Sequence, residues 1–172
     1  MDIVDFFLGN ALNAVDAKGR VSLPSDFRAV IERRARAAAA TGNVLDAKTV
    51  SIGEHEKHAC LQAFDATYAG ALFRQLQQRV AQAAEADQMA ALDDAQADAF
   101  GAMLPVSFDA AGRMVLSAQL RATAGIRDLA FFVGSGQTFQ IWDPRRYLEE
   151  QADKARVCRT LRFLLAERGV EA

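Results

Sequence analysis

The strongest restriction on how this chain can fold comes from a nine-residue segment that occurs twice. The first copy reads DAKGRVSLP from Asp16, and the second reads DAAGRMVLS from Asp109, which lies 93 residues further along. Over residues 16–29 and 109–122, seven of the fourteen aligned pairs are identical. Because self-similarity at a fixed distance indicates a duplicated unit, we expect two copies of one small fold.

A second, shorter match sets the length of the repeated unit. The sequence LQAFD at residues 61–65 resembles FQIWD at residues 139–143, now at a separation of 78 residues. Between these two matched segments, the first copy therefore has 15 more residues than the second. We expect this excess in the alanine-rich residues 34–48 and the polar residues 53–58, because both stretches suit loops or helix extensions.

Each copy has the pattern of a strand, a tight turn, a second strand, a short helix and a closing strand or hairpin. In the turn, aspartate stands at the first position and glycine at the fourth, which is typical of a type I turn. In the first copy this turn joins strands over residues 11–15 and 21–23. The residues predicted to form the two turns are Asp16, Gly19, Asp109 and Gly112.

The two copies use different residues to begin the short helix. Pro24 suits the first helical turn in the first copy, whereas Ser117 can cap the helix in the second copy and Gly125 can end it. A hairpin closes the second copy, with strands over residues 129–133 and 138–142. The helix side chains predicted to face the core are Phe27, Val30, Ile31, Leu120 and Ala124.

A unit this short buries little surface alone, so we expect the two copies to interleave into one pseudo-twofold module. The predicted fold class is α+β, a tandem duplication of a β-β-α-β unit. The acidic, alanine-rich residues 83–99 suit either a helix continued from residues 66–82 or a solvated linker, and their helix propensity favours the helix. A further helix is expected over residues 144–167. The predicted organisation is a first repeat at residues 8–67, a helical linker at 68–99, a second repeat at 100–147 and a C-terminal helix at 148–172.

Composition restricts the class of protein further. With 172 residues and 51% hydrophobic content, the chain can bury a real core. No stretch approaches the roughly 18 apolar residues that a membrane span needs, and the acidic start MDIVD is unlike a signal peptide, so we expect a cytosolic protein. Cys60 and Cys158 lack zinc-ligand spacing and are predicted to be packed thiols.

The net charge of −2 counts against nucleic-acid binding, which usually goes with a basic balance. The charges are unevenly distributed, however. Residues 18–36 contain six basic and two acidic residues, whereas residues 65–100 contain six acidic and two basic residues. Such segregation is compatible with a basic face on an acidic protein.

The repeated segments resemble the MraZ family. FLG at residues 7–9, followed by residues 15–24, is similar to the start of MraZ proteins, and residues 100–147 are similar to their second half. The specific matches in that half are residues 109–113 and 132–142. The resemblance implies an AbrB-like swapped-hairpin β-barrel with additional helices, and double-stranded DNA as the partner.

The resemblance also implies a function. Chains of the MraZ family form homo-oligomeric rings and repress transcription at short direct repeats upstream of the division and cell-wall genes, their own promoter included. A nucleoid-associated regulator of this kind needs no membrane, cofactor or small-molecule substrate. In the family, the Lys and Arg of the first turn and the Arg of the second contact DNA, which implies this role for Lys18, Arg20 and Arg113.

The chemistry of these residue types agrees with that expectation. An arginine just after a glycine turn projects from a rigid strand, and its planar guanidinium can bind a phosphate or the O6 and N7 edge of guanine. Arg28 and Arg121, which match each other in the short helices, are further candidates for DNA contact. Because Ala111 stands where the first turn has Lys18, we expect the two copies to contribute unequally to DNA binding.

Other interpretations of the same residues stay open. The turn arginines could form structural salt bridges with the turn aspartates, and Arg28 and Arg121 could pair with carboxylates or line a subunit interface. His55 and His58 could belong to a metal-dependent enzyme, but HxxH lacks the i, i+4 spacing of helical zinc enzymes, so neither metal nor catalysis is predicted. The alternative function is an antitoxin of the same fold, which binds DNA and neutralises a toxin.

Overall fold

The computed structural model describes residues 5–84 and 86–172, so Glu85 and the first four residues of the acidic start lie outside the described part. The protein is α+β, with antiparallel strands and six helices in the described residues. The strands are β1 (Asn10–Ala14), β2 (Arg20–Ser22), β3 (Thr49–Glu54), β4 (Leu61–Phe64), β5 (Met103–Ser107), β6 (Arg113–Val115), β7 (Leu129–Ser135) and β8 (Thr138–Trp142). The helices are α1 (Ser25–Ala40), α2 (Ala66–Gln82), α3 (Gln88–Gly101), α4 (Ala118–Ala124), α5 (Pro144–Glu150) and α6 (Ala155–Glu167).

Six strands form one antiparallel sheet in the order β1-β7-β8-β4-β3-β5, and β2 pairs with β6 in a separate two-stranded ribbon. The counterparts in the two copies are β1 and β5, β3 and β7, and β4 and β8. Replacing each strand by its counterpart gives the same order read from the other end of the sheet. The pseudo-twofold axis therefore passes between β4 and β8, where Gln62 lies opposite Gln140. Each copy lends its first strand to the other, since β1 pairs with β7 and β5 pairs with β3. The expected interleaving of the copies is confirmed.

The closed barrel implied by the family resemblance is not confirmed. Across the described residues the six-stranded sheet is open, with β1 and β5 at its edges. The ribbon pairs with neither edge strand in this part of the chain and instead covers one face of the sheet. Two stacked layers therefore replace a continuous ring of hydrogen-bonded strands.

The main core lies between the sheet, the ribbon and helices α1 and α4. Val21 and Met114 point inward from the centre of the ribbon and pack in one cluster with Phe132 and Phe139 of the sheet. The ribbon residues on either side of Val21 and Met114 are exposed, because side chains alternate between the two faces of a strand. One face of the ribbon is thus part of the core and the other faces solvent.

The opposite face of the sheet is covered by the remaining helices. Phe131, the neighbour of Phe132 in β7, points to this side and packs with Trp142, Tyr147 of α5 and Leu161 of α6. At the other end of the same face, α2 covers β4 and α3 packs against α2 and β5. None of the described helices combines the length and the apolar character needed to cross a bilayer.

Most of the local predictions are confirmed. The helix α2 spans Ala66–Gln82 as expected, and the hydroxyl of Ser117 accepts a backbone hydrogen bond in the first turn of α4. Gly125 ends α4 with a φ of 66°, and all five helix residues assigned to the core are buried. Cys60 and Cys158 are buried free thiols, and burial raises the pKa of Cys60 to about 12.

The extra length of the first copy lies largely in its short helix. The helix α1 has 16 residues, whereas its counterpart α4 has 7. The alanine-rich stretch expected to hold the excess therefore extends a helix before it becomes a loop. Arg34 lies in this extension and is almost completely buried.

Three local predictions are wrong in part. Pro24 is the N-cap residue of α1, one position before the first helical residue, Ser25. Most of residues 83–99 are helical, as favoured, but they belong to a new helix rather than to a continued α2, because Asp87 accepts hydrogen bonds from two backbone N–H groups at the start of α3. The C-terminal helix is two helices, since the chain leaves α5 at Gln151 before α6 begins. The break lets both helices bury side chains in one cluster.

Candidate nucleic-acid interface

The first turn is held by Asp16, whose side chain and backbone both accept hydrogen bonds. Its Oδ1 accepts from the backbone N–H groups of Lys18 and Arg20 at 3.0 and 2.9 Å. Its carbonyl accepts from the N–H of Gly19 at 2.9 Å, and Gly19 has a φ of 83°, which glycine adopts without steric cost. The DxxG pattern thus builds the tight turn that the sequence predicts.

The second turn repeats this geometry. Oδ1 of Asp109 accepts from the N–H groups of Ala111 and Arg113 at 3.0 and 2.9 Å, and the Asp109 carbonyl accepts from Gly112 N at 2.9 Å. The φ of Gly112 is also 83°. Two segments 93 residues apart therefore present the residue after the glycine in the same way.

Each turn aspartate also orients the arginine that follows the glycine. Nε of Arg20 donates to Oδ2 of Asp16 at 2.5 Å, and Nε of Arg113 donates to Oδ2 of Asp109 at 2.8 Å. The arginine side chains are 61% and 71% exposed. Within the described residues, the Nη atoms of both guanidinium groups have no hydrogen-bond partner. The pairing therefore uses one donor of each arginine and leaves the outer donors facing solvent.

The pairing of β2 with β6 brings the two turn arginines to one surface. Arg20 lies opposite Val115, and Arg113 lies opposite Ser22, so the two arginines are diagonal neighbours on the exposed face of the ribbon. Diagonal residues on one face of an antiparallel pair are about 7–8 Å apart, and their Cβ atoms are somewhat closer. A shallow concave surface with a volume of about 570 Å³ lies between the two turns. We call this exposed face, with Arg20, Arg113 and the neighbouring Lys18, the ribbon face.

Arg28 and Arg121 lie beneath the turns, each against the turn of the other copy. Nη1 of Arg28 donates to the carbonyl of Ala110 in the second turn at 2.9 Å. Nε of Arg121 donates to the carbonyl of Leu116 in its own copy at 3.1 Å and lies next to Gly19 of the first turn. Both side chains are half-buried. Their guanidinium groups are within 3 Å of where a Cβ on Gly112 or Gly19 would be. These two arginines support the turns, and their direct contact with DNA stays a prediction.

Comparison with known proteins shows which family the chain is similar to. A family model described as "MraZ protein, putative antitoxin-like" matches residues 99–158. A transcriptional regulator MraZ of Gluconacetobacter diazotrophicus is 38% identical over 138 residues, which cover 80% of this chain and 78% of the relative. The chain belongs to the MraZ family.

Two further relatives, both named transcriptional regulator MraZ, extend the match. The protein of Ruegeria pomeroyi is 32% identical over 84% of this chain and 81% of its own length. The protein of Beijerinckia indica is 30% identical over 97% of this chain and 92% of its own length. The MraZ resemblance inferred from the repeated segments is therefore confirmed over nearly the whole chain.

We expect the two turn aspartates of this MraZ-family chain to titrate below the ordinary pKa of 3.8, for different reasons. The side chain of Arg20 is the main cause that lowers the pKa of Asp16, whereas the backbone N–H of Arg113 is the main cause for Asp109. NMR titration of Arg20→Ala should therefore show a clear rise in the pKa of Asp16. The matched variant Arg113→Ala should raise the pKa of Asp109 less.

The same shifts have a consequence for stability. A carboxyl group whose pKa is lower in the folded than in the unfolded protein stabilises the fold above its unfolded pKa, and this contribution is lost as the pH falls through the lowered value. The turns should thus loosen only below about pH 4, the unfolded value for aspartate. An unchanged pKa of Asp16 in Arg20→Ala would contradict this account of the turn.

The two histidines close the loop between β3 and β4. Nδ1 of His55 accepts from the backbone N–H groups of Lys57 and His58 at 3.0 and 3.2 Å, and the ring centroids of the histidines are 4.8 Å apart. Burial lowers the pKa of His55, which favours the neutral ring that this acceptor role requires. No group of three or more His, Cys, Asp or Glu residues in the described part of the chain is arranged to hold a metal ion.

The sequence-based search missed the buried pair of Arg34 and Asp65. Nη1 of Arg34 donates to Oδ1 of Asp65 at 2.6 Å, and both side chains are at most 3% exposed. One signal could have indicated this pair. Arg34 continues the helical series of core positions that begins with Phe27 and Ile31, so it lies on the buried face of α1.

Proposed function

We propose that this MraZ-family protein is a sequence-specific DNA-binding transcriptional regulator whose ribbon face contacts duplex DNA. The observation that carries the proposal is that Arg20 and Arg113, one from each copy, share one exposed face with their outer donors open. The two turns are also joined rigidly. Leu23 N donates to the carbonyl of Gly112, and Leu116 N donates to the carbonyl of Gly19, both at 2.8 Å.

The shape and chemistry of this face suit the major groove. The groove admits a two-stranded β-ribbon, and arginine can bind O6 and N7 of guanine with two parallel hydrogen bonds. Each aspartate neutralises part of the charge of its arginine but holds the guanidinium in a defined direction, which favours base recognition over diffuse attraction. Lys18 extends from the first turn as a point charge suited to a phosphate.

Assembly explains how a chain with a net charge of −2 can bind DNA. A few cationic contacts from one copy bind weakly at physiological salt concentration. A homo-oligomeric ring would present the ribbon face at regular spacing, and linked contacts gain affinity through effective concentration. Regular spacing also suits short direct repeats, which are the DNA sites that we propose.

The proposed regulatory role is repression of the protein's own promoter and of the downstream division and cell-wall gene cluster. It is supported by the names of the relatives, which are transcriptional regulators. We place the protein in the cytoplasm, at the nucleoid. The exchange of first strands between the copies supports assigning the module to the AbrB-like swapped-hairpin class.

The proposal is tested by removing one guanidinium at a time. We expect Arg20→Ala and Arg113→Ala each to weaken binding to promoter DNA by at least about fivefold in gel-shift titrations, since one bidentate contact contributes about 1–3 kcal/mol. The matched control is Arg79→Ala. Arg79 is 63% exposed and pairs with Glu56. It belongs to α2, which covers the sheet face opposite the ribbon, so its loss should leave DNA affinity unchanged.

Two further measurements make this test sharp. The plot of log affinity against log salt concentration has a negative slope, and its magnitude should decrease by about one for each phosphate contact that a variant loses. Oligomer size, measured by light scattering, should not change, because both arginines are exposed and pair only within their own turn. Wild-type affinity in the Arg20→Ala variant would refute the proposal.

An antitoxin-like role is the second candidate, because the matching family model carries that description. Free antitoxin tails are usually disordered. In this chain, Tyr147 of α5 and Cys158, Leu161 and Leu165 of α6 are buried in one cluster with the sheet, so the C-terminal region is folded without a partner. The tail geometry therefore favours the regulator. Purification from the native host distinguishes the two, since an antitoxin would carry a stoichiometric toxin.

A further inference from the structure

Two helices of opposite charge lie at opposite ends of the six-stranded sheet. The helix α6 packs at the β1 edge, where Nη2 of Arg168 donates to the carbonyl of Leu12 at 2.9 Å. The helix α3 packs at the β5 edge. Strands in a sheet are about 4.8 Å apart, so five spacings separate the two edges by about 24 Å. The exposed surfaces of α3 and α6 therefore do not meet within one chain.

The exposed side of α6 is basic and carries an unpacked aromatic ring. Arg156, Arg159 and Arg162 are exposed, and their side chains make no ion pair or hydrogen bond with any residue that the structure describes. Between them and the end of the helix, Phe163 is 62% exposed. The inner side of α6 is already occupied by the sheet. We call the side with the three arginines and Phe163 the basic face.

The exposed side of α3 is acidic and has an apolar end. Asp93, Asp94 and Asp98 are exposed, and none of them forms a salt bridge within the described part of the chain. Met89 is 84% exposed, and among the residues described α3 buries no side chain completely. Residues 80–112 contain no lysine or arginine. Arg79 of the neighbouring helix α2 lines the same cavity as Asp98, but its guanidinium pairs with Glu56. We call this side of α3 the acidic face.

We propose that the acidic face of one copy binds the basic face of a second copy of this chain. Three carboxylates would meet three guanidinium groups. The two charged stretches match in length, because the five steps from Asp93 to Asp98 rise about 7.5 Å along the helix and the six steps from Arg156 to Arg162 rise about 9 Å. Phe163 would pack along the small exposed residues of α3, Ala90 and Ala97. Packing of this kind buries the two large apolar side chains that each chain leaves exposed at these faces.

The contact is between two different surfaces, so it joins copies head to tail. Heterologous contacts of this kind generate a ring when the rotation closes. Both helices cover the side of the sheet opposite the ribbon, because Phe131 packs under α6 and Phe64 packs under α2 and α3, whereas Phe132 faces the ribbon. The contact would leave the ribbon face free. This inference rests on the proposed function, since it names the contact that repeats the DNA-binding surface.

Charge reversal tests the contact. One variant carries Arg156→Glu, Arg159→Glu and Arg162→Glu, and the other carries Asp93→Lys, Asp94→Lys and Asp98→Lys. We expect each variant to sediment as a smaller species than the wild type at about 0.1 M salt, where contacts closer than about 10 Å are only partly screened. A chain that carries all six changes should recover the wild-type size, because its two faces are again complementary.

A matched control separates the interface from a general effect of charge. Arg36→Glu, Arg74→Glu and Arg127→Glu change the net charge by the same amount as the α6 variant, but these exposed residues lie on neither face, so the size should stay as in the wild type. Circular dichroism melting should be similar for all variants. The inference would be overturned by a monomeric wild type or by an unchanged oligomer size after either reversal. It would also be overturned if the chain with all six changes did not recover the wild-type size.

These outcomes are independent of the test of DNA binding. If charge reversal has no effect on size while Arg20→Ala still weakens DNA binding as expected, the α3–α6 contact is wrong and the proposed function stands. If Arg20→Ala leaves DNA affinity unchanged while charge reversal dissociates the oligomer, the proposed function is wrong and the contact stands.

Discussion

Replacing Arg34 with alanine is expected to lower the free energy of unfolding by about 3–5 kcal/mol, the usual range for removing one partner of a buried ion pair. Besides its bond to Asp65, Nη1 of Arg34 donates to the carbonyl of Gln137 at 3.0 Å. Nε and Nη2 donate to the carbonyl of Asp5 at 2.8 and 2.6 Å, and the guanidinium lies 4.6 Å from the ring centroid of Phe7. Alanine would leave the Asp65 carboxylate buried without a charged partner.

Urea denaturation is the measurement, and the neighbouring arginine is the control. Arg33 also belongs to α1, but its side chain is 53% exposed and pairs with Asp5 at the surface, so Arg33→Ala should change the midpoint far less. The double variant Arg34→Ala/Asp65→Ala should be less destabilised than the sum of the two single variants, because removing both charges leaves neither unpaired. Equal midpoints for Arg34→Ala and Arg33→Ala would contradict the role assigned to the buried pair.

Gly19→Ala is expected to destabilise the fold by about 2–5 kcal/mol, because a left-handed residue with a side chain costs about 1–2 kcal/mol and overpacking adds about 1–3 kcal/mol. A Cβ at this position would be 2.2 Å from the carbonyl oxygen of Leu116, which is backbone and belongs to the other copy. The substitution should also weaken DNA binding, since it disturbs the turn that presents Arg20. Thermal melting and gel-shift titration measure the two effects.

Two other glycines provide a graded control for this prediction. Gly42 has a φ of 87° but open space around it, so Gly42→Ala should show the conformational cost alone. Gly112→Ala should destabilise the fold by an amount between those of Gly42→Ala and Gly19→Ala. The nearest atom to its Cβ belongs to the flexible side chain of Arg28, although the carbonyl of Leu23 is also close. If Gly19→Ala and Gly42→Ala melt at the same temperature, the close packing of the two copies at Gly19 is wrong.

The turn and its arginine could be predicted because they depend on neighbours in sequence. Asp16, Gly19 and Arg20 are within four positions of one another, and the hydrogen bonds that shape the turn all lie within residues 16–20. The same holds for the cap of α4 by Ser117. Because the pattern is duplicated, the second turn could be predicted by analogy, and the geometry of the second turn agrees with that of the first.

Other parts of the site could not be predicted, because their partners are far away in sequence. The sequence did not predict that the guanidinium of Arg28 donates to the carbonyl of Ala110, 82 residues away. Arg34 and Asp65 are 31 residues apart, and the bond from Arg34 to Gln137 spans 103. A local pattern indicates that such residues are polar or on a buried face, but it does not name the group they meet.

The amino-acid order alone settled the duplication, the two tight turns, the positions of the core helices and the family, since these follow from short-range hydrogen bonding and the periodicity of apolar side chains. Folding in three dimensions decided that β2 pairs with β6, that the two arginines share one face, and that α3 and α6 expose opposite charges at opposite edges of the sheet. Those features arise from contacts between distant segments, and which segments meet depends on the packing of the whole core.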